Sequence, residues 1–266
     1  MSNLSYMQKA TDRGQLQIHV TTERGFFPIK DASIRLSYTG NPTEIIEELS
    51  TDISGQTAAV ELPAPPLEYS MEPSEFQPYS EYTIQVNASG YRPINISGIS
   101  VLPDKTSIQN VRMETATVEN PLERNIVITA NTLYGNFPPK IPEDEIKPMT
   151  ESGEIVLSRV VIPEYVIVHD GPPSDSSAND YYVRYRDYIK NVASSEIYAT
   201  WPDAALRANI LAIMSFTLNR VYTEWYRNKG YDFTITSSTA FDHKFVYGRN
   251  IFSNISNIVD EMFNSY

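Results

Sequence analysis

The chain reads as an α+β protein, an antiparallel β-sandwich in its first half and a mainly helical unit in its second. Three observations predict this. Apolar and polar residues alternate with period two at Leu16, Ile18 and Val20 and again at Ile34, Leu36 and Tyr38, the pattern of strands with one buried face. Turn-forming clusters interrupt the runs at Phe27 to Asp31, Thr39 to Pro42, Ser54-Gly55 and Gly90 to Pro93, and short strands at such spacing favour a sandwich. Beyond about Val160 the apolar period lengthens to that of a helix, with capping signals at the start and a glycine at the end.

In the first unit, residues 14–114, His19 alternates onto the polar side of its strand and is expected to be solvated. A tail, residues 1–13, precedes this unit. Residues 115–160 change composition: Pro121, Pro138, Pro139, Pro142 and Pro148 alternate with the acidic run Glu143 to Glu145. Proline removes backbone donors and charge resists collapse, so the stretch reads as an extended surface connector, with a strand at Asn125 to Thr129 that joins the first unit. The helical unit, residues 161–266, is expected to pack separately from the sandwich.

That second unit opens with a β-branched strand, Ile162 to His169, closed by the turn Asp170-Gly-Pro-Pro173. His169 and Asp170 are neighbours on a strand and point to opposite faces, so they do not act as a pair. The clearest helix begins at Trp201-Pro202-Asp203. Thr200 is its expected cap, Pro202 suits the first turn and Asp203 complements the dipole. Leu206, Ile210, Ile213, Met214, Leu218, Val221, Tyr222 and Trp225 form its apolar stripe, and the helix is expected to run to about Asn228, before Gly230.

Composition bounds the function. With 21 Lys plus Arg against 33 Asp plus Glu, the formal charge is −12, which argues against binding nucleic acid through phosphates. Cysteine is absent, so disulfides, thiol catalysis and Cys-based metal sites are excluded. His19, His169 and His243 lie far apart in no ligand spacing, and no metal or cofactor is expected. No stretch reaches the ~18 apolar residues of a membrane span and Met1 to Gly14 lacks a signal-peptide pattern, so neither membrane insertion nor signal-directed export is expected.

The candidate for chemistry is Glu196. Ala193, Val192 and Ile189 precede it at helical spacing, which puts the carboxyl on an apolar stripe. Burial there would disfavour its charged form and suit it to general acid catalysis. An ordinary carboxylate at a fraying helix end fits the same pattern. The tyrosines, 18 in all with Tyr181, Tyr182, Tyr185 and Tyr188 clustered, suit sugar stacking or protein contact equally.

The run Tyr185-Arg-Asp-Tyr-Ile-Lys-Asn-Val-Ala-Ser-Ser-Glu-Ile-Tyr198, followed by Trp201-Pro-Asp-Ala-Ala-Leu-Arg-Ala-Asn209, Leu218 to Tyr226, Lys229 to Thr236 and Phe245-Val-Tyr-Gly-Arg-Asn-Ile-Phe252, resembles the core of the SleC-type spore cortex-lytic enzymes of clostridia, whose catalytic module is related to SpoIID. The strands of the first unit resemble a carboxypeptidase-regulatory or prealbumin-like module, usually non-catalytic. The SpoIID-like resemblance implies that Glu196 is the catalytic acid of a peptidoglycan lytic transglycosylase, acting on glycan strands at the spore cortex or coat. It implies that the N-terminal part is a pro-region removed by a subtilisin-like activating protease, with the 115–160 connector the expected place for the cut. Arg207 stands at the family's basic position, where substrate binding and a helical pair with Asp203 are both open. Trp201, Asp242 and Tyr247 are further groove candidates, although His243 stands where the family has Gln and Met214 where the SpoIID pattern has Arg. Family members continue through a further catalytic segment and a peptidoglycan-binding module, so the resemblance covers an incomplete helical domain and implies weak activity for these 266 residues alone. The alternative class is a non-catalytic structural or adaptor protein of a spore or particle surface.

Overall fold

A computed structural model describes residues 12–23, 25–73, 75–117, 122–131, 133 and 162–264. The first of these form the sandwich. Strands β1 (Asp12–Thr22), β2 (Ser33–Tyr38), β3 (Asn41–Ser50), β4 (Val60–Ala64), β5 (Ser80–Asn87), β6 (Ile94–Val101), β7 (Thr106–Met113) and β8 (Arg124–Val127) make two layers, with a one-turn helix α1 (Glu68–Met71) between β4 and β5. One sheet runs in the order β3-β2-β5-β6-β8 and the other contains β7-β1-β4. The alternation of β1 and β2 faces inward as expected, for Leu16, Ile18, Val20, Ile34 and Leu36 are fully buried. Not every pairing is antiparallel: β1 lies parallel to β7 and β6 parallel to β8. The strand expected inside the connector is β8, an edge of the five-stranded sheet. The rest of the connector, 134–160, lies outside the described residues, as does the tail to residue 11. His19 is only half-exposed; its Nε2 is buried without a hydrogen-bond partner, and burial lowers its pKa.

The second unit starts with β9 (Tyr165–His169), which pairs antiparallel with β10 (Asp180–Arg184) and parallel with the short β11 (Ile235–Thr236). Three helices follow the hairpin: α2 (Tyr185–Glu196), α3 (Asp203–Tyr222) and α4 (Ser253–Phe263), the last preceded by β12 (Ile251–Phe252). Tyr185 and Tyr188 are core residues of α2, 1% and 0% exposed, whereas Tyr182 is 76% exposed on β10.

Two features of α3 depart from the sequence reading. Thr200 does not cap it: Pro202 stands at the cap position with no side-chain bond, and the Thr200 hydroxyl is buried without a partner. The helix also stops at Tyr222, not Asn228. Glu224 adopts a left-handed conformation, φ 46°, and the Trp225 N–H bonds back to the Arg220 carbonyl, a closure of the Schellman type. The left-handed Gly230 ends only a following 3₁₀ turn, Arg227–Lys229. A Glu at a position that favours glycine is why the sequence pointed past the true end.

The helical unit is not packed separately. β12 pairs antiparallel with β7 and completes the sheet β12-β7-β1-β4. The cores exchange members as well, for Val246 sits in the sandwich core while Tyr79 and Leu102 sit in the helical one. Asn250 is fully buried between them; its Oδ1 accepts the Ser100 N–H at 3.1 Å and its Nδ2 donates to the Ser100 carbonyl at 3.0 Å. A buried β7 edge needs backbone partners, and β12 supplies them.

Because each unit covers apolar and polar surface that the other cannot satisfy alone, segments 12–133 and 162–264 co-expressed as separate chains should purify together. Size-exclusion chromatography checks this; two independently folded, non-associating fragments would contradict it.

Candidate functional site

Four polar residues at the C-terminal end of α2 converge on one stretch of the C-terminal unit. Asn191 Nδ2 donates to the Val246 carbonyl at 2.8 Å and its Oδ1 accepts the Val246 N–H at 3.0 Å. Ser194 Oγ accepts the Phe252 N–H at 3.4 Å, and Ser195 Oγ accepts from Arg249 Nε at 3.2 Å. Glu196, the last residue of α2, is half-buried, and its Oε1 accepts the Lys244 N–H at 2.7 Å. The residues between Asn191 and Glu196 face the core, with Val192 and Ala193 fully buried. The carboxyl is therefore held at the boundary by a backbone donor, not left on an apolar face without partners.

Two cations lie behind this contact. Arg249 is 4% exposed and, besides Ser195, donates to the Ser100 hydroxyl at 3.4 Å and the Thr129 carbonyl at 2.5 Å. Burial pulls its pKa down to about 10, with the buried Tyr79 and the half-buried Glu81 favouring the charge. The Lys244 ammonium donates to the Ala130 carbonyl. Burial and then the Arg249 charge pull its pKa down to about 8, against the opposing charge of Glu196. Tyr188, fully buried beside Asp242 and Glu196, is pushed well above the usual phenol range, mainly by burial, and its hydroxyl meets His243 Nδ1 at 3.3 Å.

Lys244 leads from Glu196 into an open cleft of about 650 Å³. One wall is β8 of the sandwich with Thr129, and the other walls are the turn at 170–172, the hydroxyls of Ser237, Ser238 and Thr239, and residues 244–247. Tyr181 and Tyr247 stack at 4.5 Å on its side, and Arg124 donates to the Tyr247 hydroxyl at 2.7 Å while pairing with Glu114. Gly248 allows the close approach of the two units: its φ is +80°, and a Cβ there would come within 2.7 Å of Ile126.

The other site residues expected from sequence fall elsewhere. Asp242 is 2% exposed, and its carboxylate takes bonds from Arg220 Nε at 2.8 Å, the Tyr226 hydroxyl at 2.5 Å and both the N–H and hydroxyl of Thr236. It is an internal anchor for the 236–242 turn and presents nothing to a groove. Arg220, also buried, sits 4.6 Å from the rings of Phe216 and Trp225; a lone charged residue in an apolar helix stripe was the signal for this pair. Trp201 Nε1 donates to the Ser70 carbonyl of α1 at 2.9 Å, so it ties the units together. Arg207 pairs with Asp203 at 2.6 Å and with Glu261 of α4 at 2.5 Å. Tyr247 alone of these lines the cleft. His169 and Asp170 diverge as expected, yet His169 Nδ1 finds Asp180 across the hairpin at 2.7 Å. Sequence reasoning missed Lys244 and, although it expected the strand β8, missed the place of that strand at the cleft, which both reach only through the fold.

Residues 178–260 match the family model described as SpoIID, stage II sporulation protein. This segment is a SpoIID domain. It contains α2, α3 and β12, and hence Glu196 and every residue that α2 holds. No curated protein matches the chain. Among solved structures, the Bacillus anthracis TIE protein is similar at 17% identity and a TM-score of 0.27, over 40% of this chain and 17% of that one. The minor pilin GBS52 of Streptococcus agalactiae gives 13% and 0.28, over 40% and 46%. The 5-hydroxyisourate hydrolase of Klebsiella pneumoniae gives 16% and 0.25, over 38% and 86%. The chain thus spans less than half the length of the first two, and likenesses this slight say nothing about what the SpoIID domain does. No helix among the described residues is long and apolar enough to cross a membrane.

Two outcomes follow from the electrostatics. Arg249→Ala removes the donor from the Thr129 carbonyl and the Ser100 hydroxyl, and leaves Ser195 only its bond to the Asn191 carbonyl; it should cost about 3 kcal/mol, lowering the melting temperature by roughly 6–12 °C in calorimetry. Folding favours neutral Lys244, so its penalty on stability is full below about pH 8 and fades as the pH rises. Denaturation from pH 8 to 10 should show a stability gain that Lys244→Met removes. Above pH 10 the buried tyrosines Tyr82 and Tyr226, whose pKa values are raised by burial, act in the opposite direction.

Proposed function

We propose that this chain acts on peptidoglycan as a lytic transglycosylase of the spore cortex-lytic type, with Glu196 as its acid and base. The observation that carries the reading is the position of Glu196 within the SpoIID domain: half-buried at the end of α2 and hydrogen-bonded to the backbone of the segment that walls the cleft. A carboxyl at such a boundary reaches solvent on one side and is oriented from the other. Protonated, it gives its proton to the glycosidic oxygen as the muramyl C1–O bond breaks. Ionised, it then takes the proton from the sugar's own 6-hydroxyl, whose oxygen closes onto C1. The product is a 1,6-anhydro sugar, and the enzyme returns to its starting protonation.

This route needs one carboxyl group. Hydrolysis by the usual two-carboxylate scheme needs a second, at a set separation, to activate water or form a glycosyl intermediate. A second carboxylate, Asp170, lines the cleft that Glu196 adjoins through Lys244, its Oδ1 accepting from the Ser237 hydroxyl at 2.9 Å, so the nature of the new chain end decides between the two schemes.

Incubation with decoated cortex peptidoglycan should yield anhydromuramic ends by mass spectrometry. Glu196→Gln should lower their rate of formation by about 10²-fold or more, within the range for loss of a general acid, while the far-ultraviolet spectrum stays unchanged. New reducing ends in place of anhydro ends, or full activity in Glu196→Gln, would overturn the assignment.

A further inference from the structure

Two cations join the end of α2 to the sandwich, residue by residue. On the helix, Ser195 Oγ accepts from Arg249 Nε at 3.2 Å and Glu196 Oε1 accepts the Lys244 N–H at 2.7 Å. On the sandwich, in the stretch that follows β8, the Thr129 carbonyl accepts from Arg249 and the Ala130 carbonyl from the Lys244 ammonium. The next carbonyl, that of Asn131, accepts the Tyr79 hydroxyl at 2.8 Å, and both of these residues are buried. Successive carbonyls of 129–131 thus take a guanidinium, an ammonium and a phenol, so the stretch is fixed by side chains from other parts of the chain.

Lys244 therefore acts on Glu196 twice. Its N–H orients the carboxyl, and its ammonium, which would give up the Ala130 carbonyl by turning away, keeps a charge within the field of the same group. A positive charge held there favours the ionised carboxylate over the protonated acid. The other titratable groups around the pair come from three elements. Arg249 lies beside Lys244, with Tyr79 and Glu81 of the sandwich next to it. Tyr188 of α2 feels Glu196 and Asp242 and stays neutral because it is buried, and its hydroxyl meets His243. We propose that Lys244 is a positioning residue for Glu196, and that the 129–131 stretch of the sandwich, by fixing the ammonium, lets this module set the proton affinity of the carboxyl. For a reaction whose first step needs the protonated form, activity is then lost at a lower pH than it would be without Lys244. That consequence rests on the transglycosylase reading above. The coupling of Lys244 to Glu196 does not.

The first readout needs no substrate. In the full chain labelled with carbon-13 at the glutamate carboxyls, the Glu196 signal is assigned by its absence from Glu196→Gln and titrated by NMR below about pH 8, where Lys244 is charged. Lys244→Met should move the midpoint upward by about one pH unit, and Lys244→Arg, which keeps the charge, should stay near wild type. Tyr79→Phe, which frees the Asn131 carbonyl and loosens the stretch, should move the midpoint in the same direction as Lys244→Met. Circular dichroism of each variant should match that of wild type. The second readout is the pH profile of anhydromuramic-end formation, whose high-pH limb should move upward in Lys244→Met and not in Lys244→Arg. A Glu196 midpoint unchanged by Lys244→Met, or moved as far by Lys244→Arg, would overturn the coupling. An unchanged midpoint in Tyr79→Phe would overturn the part of the sandwich, and a limb that stays in place in Lys244→Met would overturn the role in catalysis. Should the midpoints move as expected while no anhydro ends form at any pH, the transglycosylase reading falls and the coupling stands.

Discussion

The second half of this protein depends on how four polar side chains of one helix hold one segment of chain. Asn191, Ser194, Ser195 and Glu196 each meet a partner between Lys244 and Phe252: two backbone groups of Val246, the Phe252 N–H, the Arg249 guanidinium and the Lys244 N–H. Buried donors and acceptors left unmatched each cost about 1–3 kcal/mol, so this segment has one register in which all of them are met. That register sets the place of everything downstream. It aims Arg249 and Asn250 at Ser100, lays Ile251–Phe252 along β7 and brings Lys244 to the wall of the cleft.

The consequence is a protein whose chemistry and whose domain junction share residues. Arg249 is at once the partner of Ser195 in the SpoIID domain and of Thr129 in the sandwich. Lys244 bonds Glu196 through its backbone and Ala130 of the sandwich through its side chain. A module of the sandwich class is ordinarily an accessory. Here it buries an arginine and walls the cleft, so the position of the carboxyl that carries the proposed reaction is set by both halves together.

Asp242 shows the opposite arrangement. Its sequence neighbours and its resemblance suggested a groove residue, yet its carboxylate is enclosed by Arg220, Tyr226 and Thr236. An enclosed ion pair is fixed by its own hydrogen bonds, and its contribution is to the shape of the 236–242 turn whose hydroxyls line the cleft. Trp201 and Arg207 are likewise spent on packing between elements, the first on α1 and the second on α4. Residues singled out by type or motif divide in this way according to what surrounds them, which sequence spacing does not report.

The sequence by itself determined the local patterns. Period-two alternation in β1 and β2, the start of α3 at Pro202-Asp203, the strand before His169 and the helical block ending in Glu196 follow from side-chain spacing and turn chemistry, which act over a few residues. Only the tertiary structure decided that β1 runs parallel to β7, that α3 ends at a left-handed Glu224, that β12 completes a sandwich sheet, and that Lys244 and β8 share a cleft with Tyr181 and Tyr247. Each of these joins groups distant in the chain. Whether two such groups meet depends on which arrangement leaves the fewest buried polar atoms unpaired across the whole molecule, a condition that no short window of sequence contains.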